Sequence, residues 1–193
     1  MKKILIIISL ILAAGAGFYF GYWIKTPAYA AGEIQQAIQK KDLQLFKERV
    51  DMEKVYSYAI DDVLTELKAD KAPKYKIAAA VINGLKKELI SELIQRTEMK
   101  FKTDDPQGKS FLNEPVESVT AYVGSAALSM TDVLDVEEKD HSAVVKVKIH
   151  DKELDKDFIW HVQMEKDING NWMAVRVLNF KDYLSERKQL LLK

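Results

Sequence analysis

Three histidines are the first candidates for metal binding or proton transfer: His141, His150 and His161. A zinc site of the common kinds places two histidines at a short spacing, as in H-x-x-x-H or H-E-x-x-H, with a further ligand nearby. Neither spacing occurs in this chain, and no carboxylate cluster completes a site around a histidine. We therefore predict no metal site.

Other catalytic motifs are incomplete. Gly108-Lys109-Ser110 resembles the end of a phosphate-binding loop, but Thr103 stands where that motif requires glycine. The surrounding stretch DDPQGKSFLNE lacks the alternating oxygen ligands of a calcium loop. The chain has no cysteine, which excludes thiolate chemistry, and it has no G-x-S-x-G turn for a nucleophilic serine. We predict that the protein is not an enzyme and uses no cofactor.

Two sets of residues remain as candidate binding sites. A polar set, expected on the outer face of a sheet, could grip an anion or could be an ordinary solvated cluster: His161, Gln163 and Arg176. An apolar set, expected on the inner face, could line a lipid-sized pocket unless helices fill that space completely: Val147, Trp160, Met164 and Val177.

These sets belong to strands, because from Thr131 onward apolar and polar residues alternate. Turns are expected at 140–141, at 153–154 and at Asn169-Gly170, a pair typical of a two-residue type I′ hairpin. The resulting registers pair Leu134 with Val147, Asp135 with Lys146, Val136 with Val145, Val145 with Val162, Val147 with Trp160, Val162 with Val177, Gln163 with Arg176 and Met164 with Val175. They predict a four-stranded antiparallel meander with one apolar face, to which Leu134 and Val175 contribute.

Helices precede the strands. Apolar residues at helical spacing predict one helix after Pro27, a short one capped by Asp42 and a longer one capped by Asp51. A further helix is expected from about Lys74 to Glu98, and a fourth over Pro115 to Leu128. Because the apolar sheet face requires a cover, we predict an α+β fold with three to four helices packed on the meander.

The N-terminal run from Ile4 to Ile24 is uncharged and 21 residues long, which matches the hydrocarbon thickness of a bilayer. Aromatic residues crowd its end near Trp23, as at a membrane interface. We predict a retained anchor with the lipid bilayer as its partner. Cleavage after Ala30, at the A-x-A pattern Ala28-Tyr29-Ala30, is the alternative.

Charge indicates how the anchor is oriented. Lys2 and Lys3 precede the run and Lys25 alone follows it closely, so the positive-inside tendency predicts a cytoplasmic N-terminus and an extracytoplasmic domain. Beyond residue 25 the chain carries 26 basic and 29 acidic residues, a balance that argues against nucleic-acid binding. A small-xxx-small face could support self-association, or could reflect only the common use of small residues in membrane helices: Ala13, Gly17 and Gly21.

The stretch from Thr26 to Leu64 resembles a bacterial family called domain of unknown function 2939. The resemblance rests on Thr26-Pro27, Ala37-Ile38, Lys41-Asp42 and Val50-Asp51-Met52, and on a closing NGNWMAVRV strand. It implies a membrane-anchored domain and no known activity. The order of elements also resembles the cone-shaped fold of the nuclear transport factor two and ketosteroid isomerase superfamily, which hosts enzymes and binding modules alike.

We therefore expect an anchor at 1–25, an α+β domain at 26–183 and a tail or short helix at 184–193. The predicted function is a non-catalytic binding or interaction module outside the cytoplasmic membrane. The alternative is a carrier of small hydrophobic ligands, or a cone-fold enzyme, that uses the apolar pocket.

Overall fold

The computed structural model describes residues 2–69, 72–103, 129–152 and 154–191. These residues form an α+β structure with seven helices and four strands. The helices are α1 (Lys2–Gly21), α2 (Pro27–Lys40), α3 (Leu43–Arg49), α4 (Met52–Ala69), α5 (Pro73–Gly84), α6 (Lys86–Lys102) and α7 (Phe180–Leu191). The strands are β1 (Met130–Lys139), β2 (Ser142–Asp151), β3 (Lys156–Lys166) and β4 (Trp172–Val177). The helix predicted over 115–128 and the loop motifs at 104–114 lie outside the described residues.

Helix α1 approaches the rest of the molecule near its C-terminal end, where Tyr19 meets Tyr29 of α2 edge-on at 6.4 Å, but it buries none of its described side chains there. Every side chain described from Ile4 to Trp23 is exposed, although nearly all of them are apolar. Among the described residues, α1 is the one helix with the length and composition to cross a membrane. On the small-residue face, a Cβ added at Gly17 or Gly21 would meet no atom within 4 Å.

The helices begin where the sequence provides caps. Asp42 Oδ1 accepts a hydrogen bond from Leu45 N at the start of α3, and Asp51 Oδ1 accepts one from Lys54 N in α4. Both predicted caps are confirmed, and each satisfies an amide that the helix itself leaves unpaired. At α2, Thr26 Oγ1 accepts from Tyr29 N and Pro27 occupies the first helical position.

The single helix predicted from Lys74 to Glu98 is wrong, because the chain divides it into α5 and α6 at Leu85. Helix α5 ends at Gly84, a residue that costs conformational entropy inside a helix. The break lets both segments bury an apolar residue, with Ile82 and Leu89 almost fully enclosed.

The sheet is an antiparallel meander in the order β1-β2-β3-β4, as predicted. Its central registers confirm the predicted pairs Val145–Val162 and Val147–Trp160. The pairs Asp135–Lys146, Val136–Val145, Val162–Val177 and Gln163–Arg176 are confirmed as well. The buried face therefore carries every second residue of β2, together with Phe158, Trp160 and Met164 of β3 and the half-buried Val162.

The β3–β4 connection differs from the prediction in its turn and in one pair. Asp167 N donates to Asn171 O and Gly170 N donates to Asp167 O, which makes a three-residue loop rather than a two-residue one. Only Gly170 has a positive φ, +80°, as the left-handed position of such a loop requires. Met164 consequently pairs with Ala174 instead of Val175. A bulge at Val175 then restores the predicted register for the pairs farther from the loop, Gln163 with Arg176 and Val162 with Val177.

A second bulge moves Leu134 out of its predicted place. Val133, not Leu134, pairs with Val147, because the register shifts between Val133 and Asp135. Leu134 is consequently exposed, whereas Val133 packs against the core. The predicted membership of Leu134 in the apolar face is wrong for this reason.

Helices α2 to α4 and α6 contribute buried residues to the same core as the inner face of the sheet. Val50, just after α3, forms a short parallel bridge with Ala174, and Asp51 N donates to Ala174 O. Between α4 and α6, Tyr56 and Thr97 share a buried hydrogen bond. Burial raises the pKa of Tyr56 to about 12, so its hydroxyl stays protonated.

Helix α7 closes the core. It begins at Phe180, before the predicted boundary between 183 and 184, and buries Phe180, Tyr183 and Arg187. The rings of Phe180 and Tyr183 meet Trp160 edge-on, at centroid distances of 5.8 and 5.5 Å. The C-terminal segment is therefore part of the folded domain over its described length.

Candidate functional site

An apolar cavity lies between the helices and the inner face of the sheet. Its volume is about 70 Å³, and the space reaches about 600 Å³ when the open mouth is counted. An engineered apolar cavity that admits benzene has a volume of about 150 Å³, so the enclosed space here has room for a smaller apolar group, and a longer ligand would extend through the open mouth. The helical wall is made by Ala31, Ile34, Phe46, Val50 and Val55, and the sheet wall by Met130, Val145, Val147, Ile149, Trp160, Val162, Met164, Ala174, Arg176 and Val177.

The four residues that the sequence suggested for a pocket all line this cavity, and they come from three strands: Val147, Trp160, Met164 and Val177. The antiparallel register brings them together, because it places Val147 beside Trp160 and Val162 beside Val177. Small side chains leave the space open, since Ala31 and Ala174 stand in opposite walls. The helical contribution was not identifiable from sequence, because only the packing of α2 to α4 determines which residues face the sheet.

Two cavity residues have a buried hydrogen-bond donor that lacks a partner among the described residues: Trp160 at Nε1 and Arg176 at Nε. Trp160 is the more enclosed of the two, because the residue is 5 % exposed. A buried N–H without a partner costs free energy, of the order of 1–3 kcal/mol. A ligand acceptor that reached this nitrogen would recover part of that cost.

Arg176 does not lie on an open polar face, as the sequence suggested. Its guanidinium stacks over the Tyr58 ring at 4.7 Å, and Nη2 lies 3.3 Å from Asp62 Oδ1. Asp62, on α4, is largely enclosed. Burial raises the pKa of Asp62, and the adjacent Arg176 opposes that rise only in part. The ion pair fixes α4 on β4 beside the cavity.

The predicted polar cluster therefore does not form a common grip. Gln163 Nε2 donates to Glu165, whereas Arg176 turns to Asp62. His161 is held through its main chain, since its N donates to Asn179 Oδ1 and its O accepts from Leu178 N. Register brings Gln163 and Arg176 side by side, as predicted, but their side chains are directed to different partners.

A buried ionic cluster, which sequence reasoning missed, joins β2 to α7. Asp151 accepts hydrogen bonds from Tyr183 Oη and Arg187 Nε, at 2.8 and 2.6 Å. Burial by itself would raise the pKa of Asp151, but the hydrogen bonds from Arg187, Tyr183 and Leu154 N outweigh it and hold the pKa below the usual range. Tyr183 has a raised pKa, because of burial and the nearby carboxylate. Asp151 is far from Tyr183 and Arg187 in the sequence but adjacent to them in the fold, and we call these three residues the clamp because they hold α7 against β2.

The histidines are distributed along the sheet. His150 Nδ1 contacts Asp157 Oδ1 at 3.0 Å on a half-exposed surface. Within the ranges that the structure describes, no group of three or more histidine, aspartate or glutamate side chains is arranged to hold a metal ion.

Comparison of the chain with protein-family models, curated proteins and solved structures found no match. The kinship with domain of unknown function 2939 therefore stays a prediction from short motifs.

Proposed function

We propose that this protein is a single-pass membrane protein whose extracytoplasmic domain binds a small hydrophobic ligand without chemically changing it. The observation that carries the proposal is the apolar cavity, which residues from all four strands and from α2 to α4 line together. Apolar clefts with a few placed polar groups are the usual sites of small ligands.

The ligand expected from this lining contains a hydrocarbon chain. The walls are aliphatic apart from Phe46, Trp160, Arg176 and the methionines Met130 and Met164, so they recognise shape and hydrophobicity rather than a pattern of charges. The unpartnered Nε1–H of Trp160 supplies one donor for an acceptor on the ligand, such as a carboxylate or an ester carbonyl. The enclosed space would hold one end of the chain, and the rest of the chain would leave through the open mouth.

The exposed apolar surface of α1 supports the proposed membrane anchorage. A free helix of this composition is unfavourable in water, and lipid removes that cost. The proposed topology places the N-terminus in the cytoplasm, because Lys2 and Lys3 precede the helix and Lys25 alone follows it closely.

The test uses the full chain in lipid nanodiscs and a fluorescent fatty acid as the probe. We expect saturable binding by the native protein and weak binding by Val147→Phe, whose larger side chain occupies the cavity. The matched control is Ile159→Phe, since Ile159 is half exposed and does not line the cavity. Equal binding by both variants, or no binding by the native chain, would contradict the ligand proposal. Extraction of the chain from membranes by alkaline carbonate would contradict the anchor.

A further inference from the structure

The sheet has a defined end at which the anchor leaves the domain. Because the four strands are antiparallel neighbours, the β1–β2 turn and the β3–β4 turn lie at the same end, which we call the anchor end. Trp172, the first residue of β4, donates from Nε1 to Lys25 O at 2.9 Å. Lys25 directly follows the apolar run, so this bond fixes the end of the run to the anchor end.

The course of α2 supports the same placement. Helix α2 begins at Pro27, two residues after the bond to Trp172, and its middle reaches the opposite end of the sheet, where Gln35 Nε2 donates to Thr131 O. The chain thus enters the domain at the anchor end and runs away from it. Tyr19 in α1 meets Tyr29 in α2 edge-on at 6.4 Å, which keeps the two helices close at the junction.

The β3–β4 turn presents an apolar side chain at this end. Ile168 is fully exposed, more so than any other large apolar residue described. The loop around it is firmly built, since Asp167 Oδ1 accepts hydrogen bonds from Asn169 N and Asn171 N. One exposed isoleucine on a protein surface needs no explanation by itself. Ile168 differs from an ordinary exposed isoleucine because it lies on a hydrogen-bonded loop at the end of the sheet where the apolar helix α1 joins the domain.

The charges of the two turns and their flanks are balanced by lysines. Residues 139–141 and 166–171 contain two lysines and two aspartates. The flanking glutamates each lie in an ion pair, which limits repulsion by anionic headgroups. The pairs are Glu137 with Lys146, Glu138 with Lys166 and Glu165 with Lys54. Lys166 also packs over the Trp172 ring at 4.5 Å, which combines a cation with an aromatic surface of the kind found at membrane interfaces.

We infer that the β3–β4 turn is a second membrane contact, in which Ile168 inserts into the interface of the bilayer that holds α1. The helix and the turn together define two points of attachment, which restrict the tilt of the domain on the lipid surface more than a single tether would. The inference rests on the proposed anchor and is independent of the ligand cavity.

The absence of native cysteine makes a site-specific test direct. Single-cysteine variants Ile168→Cys, Ile159→Cys and Leu12→Cys of the full chain carry a polarity-sensitive fluorophore in phosphatidylcholine–phosphatidylglycerol nanodiscs, with brominated lipid and aqueous iodide as quenchers. Ile159 is the matched control, a half-exposed isoleucine near the opposite end of β3, and Leu12 reports on the anchor.

We expect strong lipid quenching and weak iodide quenching at positions 12 and 168, and the reverse at 159. Lipid quenching at 12 with iodide quenching at 168 equal to that at 159 would overturn the second contact and leave the anchor standing. Iodide access at both 12 and 168 would overturn both. An Ile168→Asp exchange, which the exposed site tolerates without unfolding, is expected to raise the mobility of a label at 159; unchanged mobility would also count against the contact.

Discussion

A substitution of Ala174 tests directly how much stability the empty volume of the cavity costs. Ala174 lines the cavity and pairs with Met164, whose other neighbour in the sheet is Ala143. Both alanines are buried, but Ala143 does not line the cavity. Ala174→Val therefore adds two methyl groups to open space, whereas Ala143→Val adds them to a packed region.

The two substitutions should change the free energy of unfolding in opposite directions. An unfilled cavity of about 70 Å³ costs about 1.7 kcal/mol at about 24 cal/mol per Å³, so Ala174→Val should raise the free energy of unfolding by up to about that amount. In a chain of this size that corresponds to a rise in Tm of roughly 3–7 °C. Overpacking at Ala143 should instead destabilise the domain by about 1–3 kcal/mol.

The assay is urea denaturation of the full chain in nanodiscs, followed by tryptophan fluorescence, with fatty-acid binding measured on the same samples. Ala174→Val should lose affinity for the probe while gaining stability. Equal destabilisation by the two variants would show that no free space adjoins Ala174. Stabilisation with undiminished probe binding would show that the ligand lies elsewhere.

Three further predictions concern the clamp and the anchor. Arg187→Ala should lower the free energy of unfolding by about 3–5 kcal/mol in urea titrations, because it leaves the Asp151 carboxylate buried without its cation. The double variant Asp151→Asn with Arg187→Met should recover much of that loss. No recovery would contradict the electrostatic explanation. The pKa of Asp151 is lower in the folded state than in the unfolded chain. The contribution of this carboxylate to stability should therefore be complete above the ordinary aspartate pKa of 3.8 and disappear as the pH falls through the folded-state pKa. Asp151→Asn should flatten this part of the curve of stability against pH, and an unchanged curve would assign the acid sensitivity to other groups. Gly17→Leu with Gly21→Leu should reduce self-association in a membrane two-hybrid assay, because both glycines lie on an open face of α1; an unaltered signal would dispose of that interface.

Local signals account for the parts of the fold that were predicted correctly. Asp42 and Asp51 cap their helices through bonds to amides three residues away, an interaction that adjacent residues specify. The pairs Val145–Val162 and Val147–Trp160 follow from period-two alternation, because a slip of one residue would expose every apolar side chain of a strand. The four pocket residues share a face for the same reason.

The errors in the sheet come from bulges. A bulge shifts a strand by one residue and leaves the alternating pattern of letters almost unchanged, so Leu134 and Val133 are equally apolar candidates for one place. At the β4 edge, the three-residue loop shifts the register by one residue and the bulge at Val175 shifts it back. The predicted pair Gln163–Arg176 was consequently correct, although the predicted turn was not.

The apolar leading helix, the helix caps, the order of helices before strands and the inner face of the central strands could all be predicted from the amino-acid sequence. Each of these depends on contacts within a few residues or on a repeating pattern. Three other features emerge only from the packing of distant segments: the contact of Arg176 with Asp62 of α4, the contact of Asp151 with Arg187 of α7, and the cavity between the helices and the sheet. Those features depend on how distant surfaces fit in three dimensions, and a residual volume between them is the property of no single segment.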